Sequence, residues 1–169
     1  SRSLGRSTHA SMSWPAKTIR ICFNLLFILV PLIFLPNTSE LFEFNKLIVT
    51  YILTTVIIFA WISDMIFQKK LIFRKTSLDL PLLIFLVTQL LSLLFSLNTQ
   101  ISFLGYYSRW NGGLLSLLCY SLLYWAFVTY QDSKSTLTTV TCALGTAVLV
   151  SFYGLAQHFG IDAEIWVQD

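Results

Sequence analysis

Leu47-Ile48-Val49-Thr50-Tyr51-Ile52-Leu53-Thr54-Thr55-Val56-Ile57-Ile58-Phe59-Ala60-Trp61-Ile62-Ser63-Asp64-Met65-Ile66-Phe67 is the stretch that decides the fold. Its Ile, Val and Thr residues would favour a strand in water. Yet the run continues for 21 residues with no Gly, no Pro and no turn signal, far beyond an ordinary strand. A helix of that length rises ~32 Å at ~1.5 Å per residue, enough to cross a hydrocarbon core of ~30 Å. The stretch therefore reads as a membrane-spanning helix. Trp61 suits the interfacial belt near its end. Asp64, close to that boundary, either reaches water or pairs with a lysine on the same side.

Four further apolar runs flank it, at about 18–36, 80–97, 114–130 and 136–155. The composition agrees: 56% of residues are hydrophobic and 11% charged, against roughly 25% charged in soluble domains. So little charge cannot cover a water-facing surface. The expected fold is all-α, a polytopic transmembrane bundle of about five spanning helices plus a short interfacial helix. Pro31 kinks the first run in a way that neighbouring helices absorb. Asn24 inside that run is expected to bond a neighbouring helix. Ser77 or Asp79 is expected to cap the third helix, with Pro81 in its first turn. Thr88, Gln89 and Ser92 form a polar patch there that either lines a cavity or bonds between helices. In the fifth run, Gly145, Ala147 and Gly154 suit close helix contact.

The ends and loops complete the organisation. Residues 1–17 are polar and small and read as a disordered tail. Bundle residues occupy 18–157, with an outer loop at 98–113. Residues 158–169 read as the start of a further segment. The chain opens at Ser1, not Met, and closes at Asp169 without a polar tail, so it reads as a fragment, truncated at its C-terminal end or at both ends. Cys22, Cys119 and Cys142 all lie in apolar runs and match no zinc or redox spacing. They are expected to be small buried hydrophobes without a disulfide.

Charge sets the orientation. With a cytoplasmic N-terminus, the inside carries Arg2, Arg6, Lys17, Arg20, Lys69, Lys70, Arg74, Lys75 and Lys134, and the outside only Lys46 and Arg109. The positive-inside rule favours that arrangement. The basic loop Lys69-Lys70-Leu71-Ile72-Phe73-Arg74-Lys75 then reads as a juxtamembrane segment on anionic lipid head groups, not as a nucleic-acid surface.

Arg109 breaks the charge bias of its own side. It sits in Gly105-Tyr106-Tyr107-Ser108-Arg109-Trp110-Asn111-Gly112-Gly113. Gly105, Gly112 and Gly113 permit backbone conformations that bulkier residues resist. Trp110, Tyr106 and Tyr107 are interface-loving aromatics. Ile101, Phe103 and Leu104 make the approach apolar, as in a short interfacial helix. An arginine at head-group depth either snorkels to bulk lipid phosphate or contacts one particular phosphate or pyrophosphate through its planar fork.

The order of several short motifs resembles the N-terminal half of bacterial O-antigen ligase and polymerase family proteins. These are Phe44-Asn45-Lys46, Leu78-Asp79-Leu80-Pro81, Ser92 and Ser96, Ser102-xx-Gly105-xxx-Arg109-xx-Gly112-Gly113, and Tyr153-Gly154-Leu155-Ala156-Gln157-His158-Phe159-Gly160. The resemblance implies a bacterial inner-membrane glycosyltransferase. Such an enzyme transfers glycan from an undecaprenyl-pyrophosphate carrier on the periplasmic side and needs no metal or other cofactor. It implies a pyrophosphate-contact role for Arg109, with Gly105, Trp110, Gly112 and Gly113 supporting the loop. The family's catalytic His and Arg residues belong to a large periplasmic loop and later helices outside this sequence, so no catalytic residue is expected within it. His158 matches a structural position of the family. The expected partners are membrane lipid and the carrier-linked glycan, with no nucleic acid. Two other readings compete: a transporter or flippase-like protein, and a structural subunit in which Arg109 only anchors.

Overall fold

The computed structural model describes residues 13–33, 43–106 and 110–159. They form six helices and no named strand: α1 (Trp14–Leu32), α2 (Glu43–Gln68), α3 (Asp79–Leu94), α4 (Thr99–Leu104), α5 (Leu114–Tyr130) and α6 (Ser133–His158). Three of them, α1, α2 and α6, are long and apolar enough to cross a membrane, which marks the chain as a membrane protein. The apolar helices α3 and α5, at 16 and 17 residues, are shorter. At ~1.5 Å per residue they rise about 24–26 Å.

The long β-branched stretch is helical throughout α2. Its threonines show how such a run tolerates a helix. Thr50, Thr54 and Thr55 donate their hydroxyls to the carbonyls of Lys46, Thr50 and Tyr51, one turn back, at 2.6–2.8 Å. Each hydroxyl is thereby satisfied inside its own helix. α2 begins at Glu43, four residues before the apolar run. It closes on Lys69 in the left-handed region (φ 49°), with the Lys70 N–H returning to the Met65 carbonyl.

Helix starts and stops differ from the expected ones where tertiary contacts intervene. α1 begins at Trp14, with Pro15 in its first turn, so residues 14–17 belong to the helix and not to a disordered tail. α3 ends at Leu94 instead of running on to residue 97. Ser96 and Ser102 there share a hydroxyl–hydroxyl hydrogen bond, and Asn98 caps α4 by accepting from the Ile101 N–H. Neither Ser77 nor Asp79 caps α3 by its side chain. The Asp79 carboxylate turns back to accept from the backbone N–H and hydroxyl of Thr76 and from Trp125 Nε1 on α5.

α1 is the hub, packing against α2, α6 and α5, while α3 leans on α5 and α4. The core is an aromatic-rich knot of Ile19, Phe23, Ile57, Ala60, Trp61, Ala126 and Tyr130. Phe23 meets Phe127 edge-on with ring centroids 5.2 Å apart. Asn24 accepts a 2.7 Å hydrogen bond from Thr139 on α6, the interhelical contact expected of it. Thr88 instead bonds its own helix at Phe85, and Thr88 and Ser92 are exposed. Gly145 and Gly154 face open space, so they make no close helix contact within this bundle. The three cysteines are free, Cys22 buried and the other two partly so.

The antiparallel packing sorts the charges by end. Contacts from Ser13 to Asp64, Arg20 to Tyr130, Arg74 to Thr129 and Thr76 to Tyr124 gather the start of α1, the 69–78 loop and the α5–α6 junction together. Seven of the eight described Lys and Arg residues lie at that end; Lys46 lies at the other.

Asp64 departs from expectation. It neither reaches water nor pairs with a lysine. Its side chain is 1% exposed and accepts hydrogen bonds from Ser13 Oγ (2.7 Å), Tyr130 Oη (2.9 Å) and Gln68 Nε2 (3.0 Å). Burying a carboxylate is costly unless its lone pairs are filled. Here three donors fill them, and they come from three helical elements.

Candidate functional site: the closed loop at the sparsely charged end

The loop between α4 and α5 is shut by its own backbone. Gly105 and Gly112 form an isolated antiparallel bridge. Inside it the Tyr106 N–H donates to the Asn111 carbonyl (3.3 Å) and the Trp110 N–H to the Tyr106 carbonyl (2.7 Å). Gly105 and Tyr106 are thus clamped to Trp110, Asn111 and Gly112.

Glycine is required at two of these positions. Gly105 has φ 93°, and a Cβ there would collide with the Asn111 backbone. A Cβ on Gly113 would drive into the Gly105 amide and the Phe103 carbonyl. Gly112 also has a positive φ (81°) but open space around it. Its demand is conformational only.

Trp110 sits at φ 53°, an uncommon value for a large side chain. Two contacts from α2 hold it. Phe44 meets its ring edge-on at 5.9 Å, and Tyr51 Oη donates to its carbonyl at 3.1 Å. Beneath the loop, Ser116 Oγ is fully buried. It donates to the Gly113 carbonyl (2.8 Å) and accepts from the Gly112 N–H (3.2 Å). Asn111 Oδ1 takes the same N–H at 2.8 Å. Neither Phe44, Tyr51 nor Ser116 had been singled out as part of this site. Phe44 had entered the sequence reading only within the Phe44-Asn45-Lys46 motif.

Beside the loop lies a polar cavity of about 440 Å³, lined by Glu43, Tyr106, Asn111 and Gly112. Arg109, the residue expected to contact pyrophosphate, falls with Tyr107 and Ser108 outside the described residues. The structure therefore brings together the loop-supporting residues Gly105, Trp110, Gly112 and Gly113 on the end of α2. His158 lies apart, exposed at the end of α6 with its ring against Phe159. Among the described residues no cluster of His, Cys, Asp and Glu is grouped to hold a metal ion. A separate furrow of about 480 Å³ between α3 and α5 is lined by Leu82, Phe85, Leu117 and Tyr124 among others. Its only polar groups are tyrosine and serine hydroxyls.

No family profile, curated protein or solved structure matches this chain. The loop's geometry and the chemistry of its residues therefore carry the functional reading.

The opposite end offers a contrasting electrostatic arrangement. Arg20 donates from Nε to the Tyr130 carbonyl (3.0 Å) and pairs with Asp132 at 3.2 Å. Asp132 also caps α6, accepting from the Ser135 N–H at 2.8 Å. That backbone bond, with the Arg20 guanidinium, holds the Asp132 carboxyl below the usual carboxylate range.

Proposed function

We propose that this chain is the N-terminal membrane scaffold of a lipid-carrier-dependent glycosyltransferase of the O-antigen ligase and polymerase kind. In this reading all five apolar helices cross the bacterial inner membrane, the two shorter ones included, since tilt and local thinning accommodate modest mismatch. The basic end faces the cytoplasm and the closed loop faces the periplasm.

The observation that carries the reading is the clamped loop. A backbone bridge and two obligatory glycines fix both ends of a segment whose sequence offers one guanidinium, at the end of the bundle that is otherwise poor in cations. A guanidinium suits a pyrophosphate whose charge rises as the glycosyl bond breaks. Chemistry on the acceptor belongs to residues elsewhere in such an enzyme, and this chain's part is to bind and orient the carrier.

One feature favours a second reading. Glu43 lines the cavity beside the loop and offers a carboxylate to a nearby cation. Arg109 would then serve an internal ion pair in a structural subunit.

Two measurements on the complete protein in cells test the proposal. A cysteine replacing Tyr107 should react with a membrane-impermeant maleimide from the outside. Labelling only after the inner face is exposed would end the periplasmic assignment. Arg109→Ala and Arg109→Lys should both lower glycan transfer by about tenfold or more, because lysine lacks the bidentate fork. Loss of folding in Arg109→Ala, with rescue by Lys, would favour the structural reading.

A further inference from the structure

α3 is tied to α5 at its head and stands away from it along its flank. Asp79 in its first turn accepts from Trp125 Nε1, and Leu86 is buried, while the remainder of the helix is half-buried or exposed. Between the two helices runs the furrow of about 480 Å³, within the usual range for ligand sites. Its walls are two stripes at helical spacing, Leu78, Leu82 and Phe85 on one side and Leu117, Ser121 and Tyr124 on the other.

The chemistry of these walls calls for an apolar occupant. The Ser121 hydroxyl donates to the Leu117 carbonyl at 2.8 Å, and the Tyr124 hydroxyl shares a 2.7 Å hydrogen bond with Thr76. The lining side chains are otherwise hydrocarbon, save for the Tyr120 hydroxyl. Shape narrows the choice further. From Leu78 to Phe85, and from Leu117 to Tyr124, each stripe is about 10 Å long at ~1.5 Å per residue. A furrow of that length and volume is about 7 Å across on average, too narrow to seat a helix of ~10–12 Å. An extended alkyl chain fits it.

The charge at one end says which alkyl chain. The furrow ends at Leu78, beside the basic loop. The Arg74 N–H rests on Thr129 Oγ1 and the Thr76 hydroxyl on Tyr124, so the loop runs along the end of α5 to the mouth of the furrow. Arg74 and Lys75 are exposed there. Asp79 is the acid beside them, and its carboxylate is taken up by the Thr76 N–H, the Thr76 hydroxyl and Trp125 Nε1. An apolar slot that ends beneath a cluster of cations is complementary to a lipid with a negative head group. We propose that the α3–α5 furrow seats one acyl chain of an anionic glycerophospholipid from the leaflet at the basic end, with its phosphate on Arg74 and Lys75. The assignment rests on the reading that α3 and α5 lie in the bilayer, and not on glycan transfer.

Native mass spectrometry of the whole protein, released from micelles holding equal amounts of phosphatidylglycerol, phosphatidylethanolamine and phosphatidylcholine, tests it. One phosphatidylglycerol should be retained per chain, at least about tenfold over the other two, as two cations beside a net negative head group imply. Equal retention of all three would mean bulk lipid contact only and overturn the site. Displacement by an equal amount of a polyprenyl phosphate would give the furrow to an isoprenoid chain and overturn the assignment. Leu117→Trp fills the furrow and leaves both cations in place, so it should lose the lipid. Leu78→Trp, at an exposed position of the mouth, should lose it too if Leu117→Trp fails to fold. Arg74→Gln combined with Lys75→Gln should bring phosphatidylglycerol down to the level of phosphatidylcholine. Undiminished retention in a folded furrow variant, or an undiminished preference in the charge variant, would refute the proposal. Leu83→Cys, exposed on α3 outside the furrow, separates that failure from a failure of the membrane placement. Reaction with a water-soluble maleimide in intact membranes, beyond that of the parent, would take α3 out of the bilayer. No such reaction, with no lipid retained by the parent, would sink the lipid site alone.

Discussion

The two ends of the bundle are held by different means. At the basic end, side chains do the tying. Asp64 joins the start of α1, α2 and α5, Asp79 joins the head of α3 to α5, and Arg20 joins α1 to the α5–α6 junction. At the other end, the backbone bridge between Gly105 and Gly112 closes the loop, and side chains of α2 merely seat it. A network of side chains fixes how helices sit against one another, and losing one member strands the others without partners. A backbone clamp fixes only the shape of its own loop. The first kind of tie therefore governs global stability, and the second governs local presentation.

The largest test of this difference is Asp64→Ala. It strands three donors at once and should destabilise the bundle by about 3 kcal/mol or more. The check is a clear fall in melting temperature in detergent; an unchanged melt would mean the cluster is not a tie. Tyr130→Phe removes one of the three and should cost about 1–2 kcal/mol. The same melt reads it, and a loss matching Asp64→Ala would show that the tyrosine carries the whole cluster.

Gly105→Ala should behave in the opposite manner. The collision with the Asn111 backbone and the positive φ should open the loop at about 1–3 kcal/mol, with little change in the global melt. Hydrogen exchange at the Tyr106 and Trp110 amides reads the opening. Gly112→Ala should open it less, by about 1 kcal/mol, since only φ is at issue there. A melt that drops as far as in Asp64→Ala would abolish the distinction between the two ends.

The smallest effect belongs to the exposed Arg20–Asp132 pair. The folded state holds the Asp132 carboxyl below its ordinary value, so its contribution is fully present above the unfolded carboxylate range. That contribution fades as pH falls through the lowered folded value. Asp132→Asn should therefore matter slightly at neutral pH and not at all in strong acid, and less at high salt. A pH-independent difference between the two melts would place the effect in the helix cap and not in the charge.

The sequence by itself determined that this is a helical membrane protein, because apolar length and scarcity of charge leave no soluble alternative. It also marked Asn24 as an interhelical donor or acceptor, since an amide in an apolar run must find a partner, and Thr139 proved to be that partner. Only the tertiary structure decided the fate of Asp64. Distance along the chain put it near water, but the start of α1 and the end of α5 fold over it and supply its hydrogen bonds. Length and hydropathy are summed along a chain and can be read from it. Burial and satisfaction of a polar atom depend on neighbours 51 to 115 positions away, and packing alone chooses them.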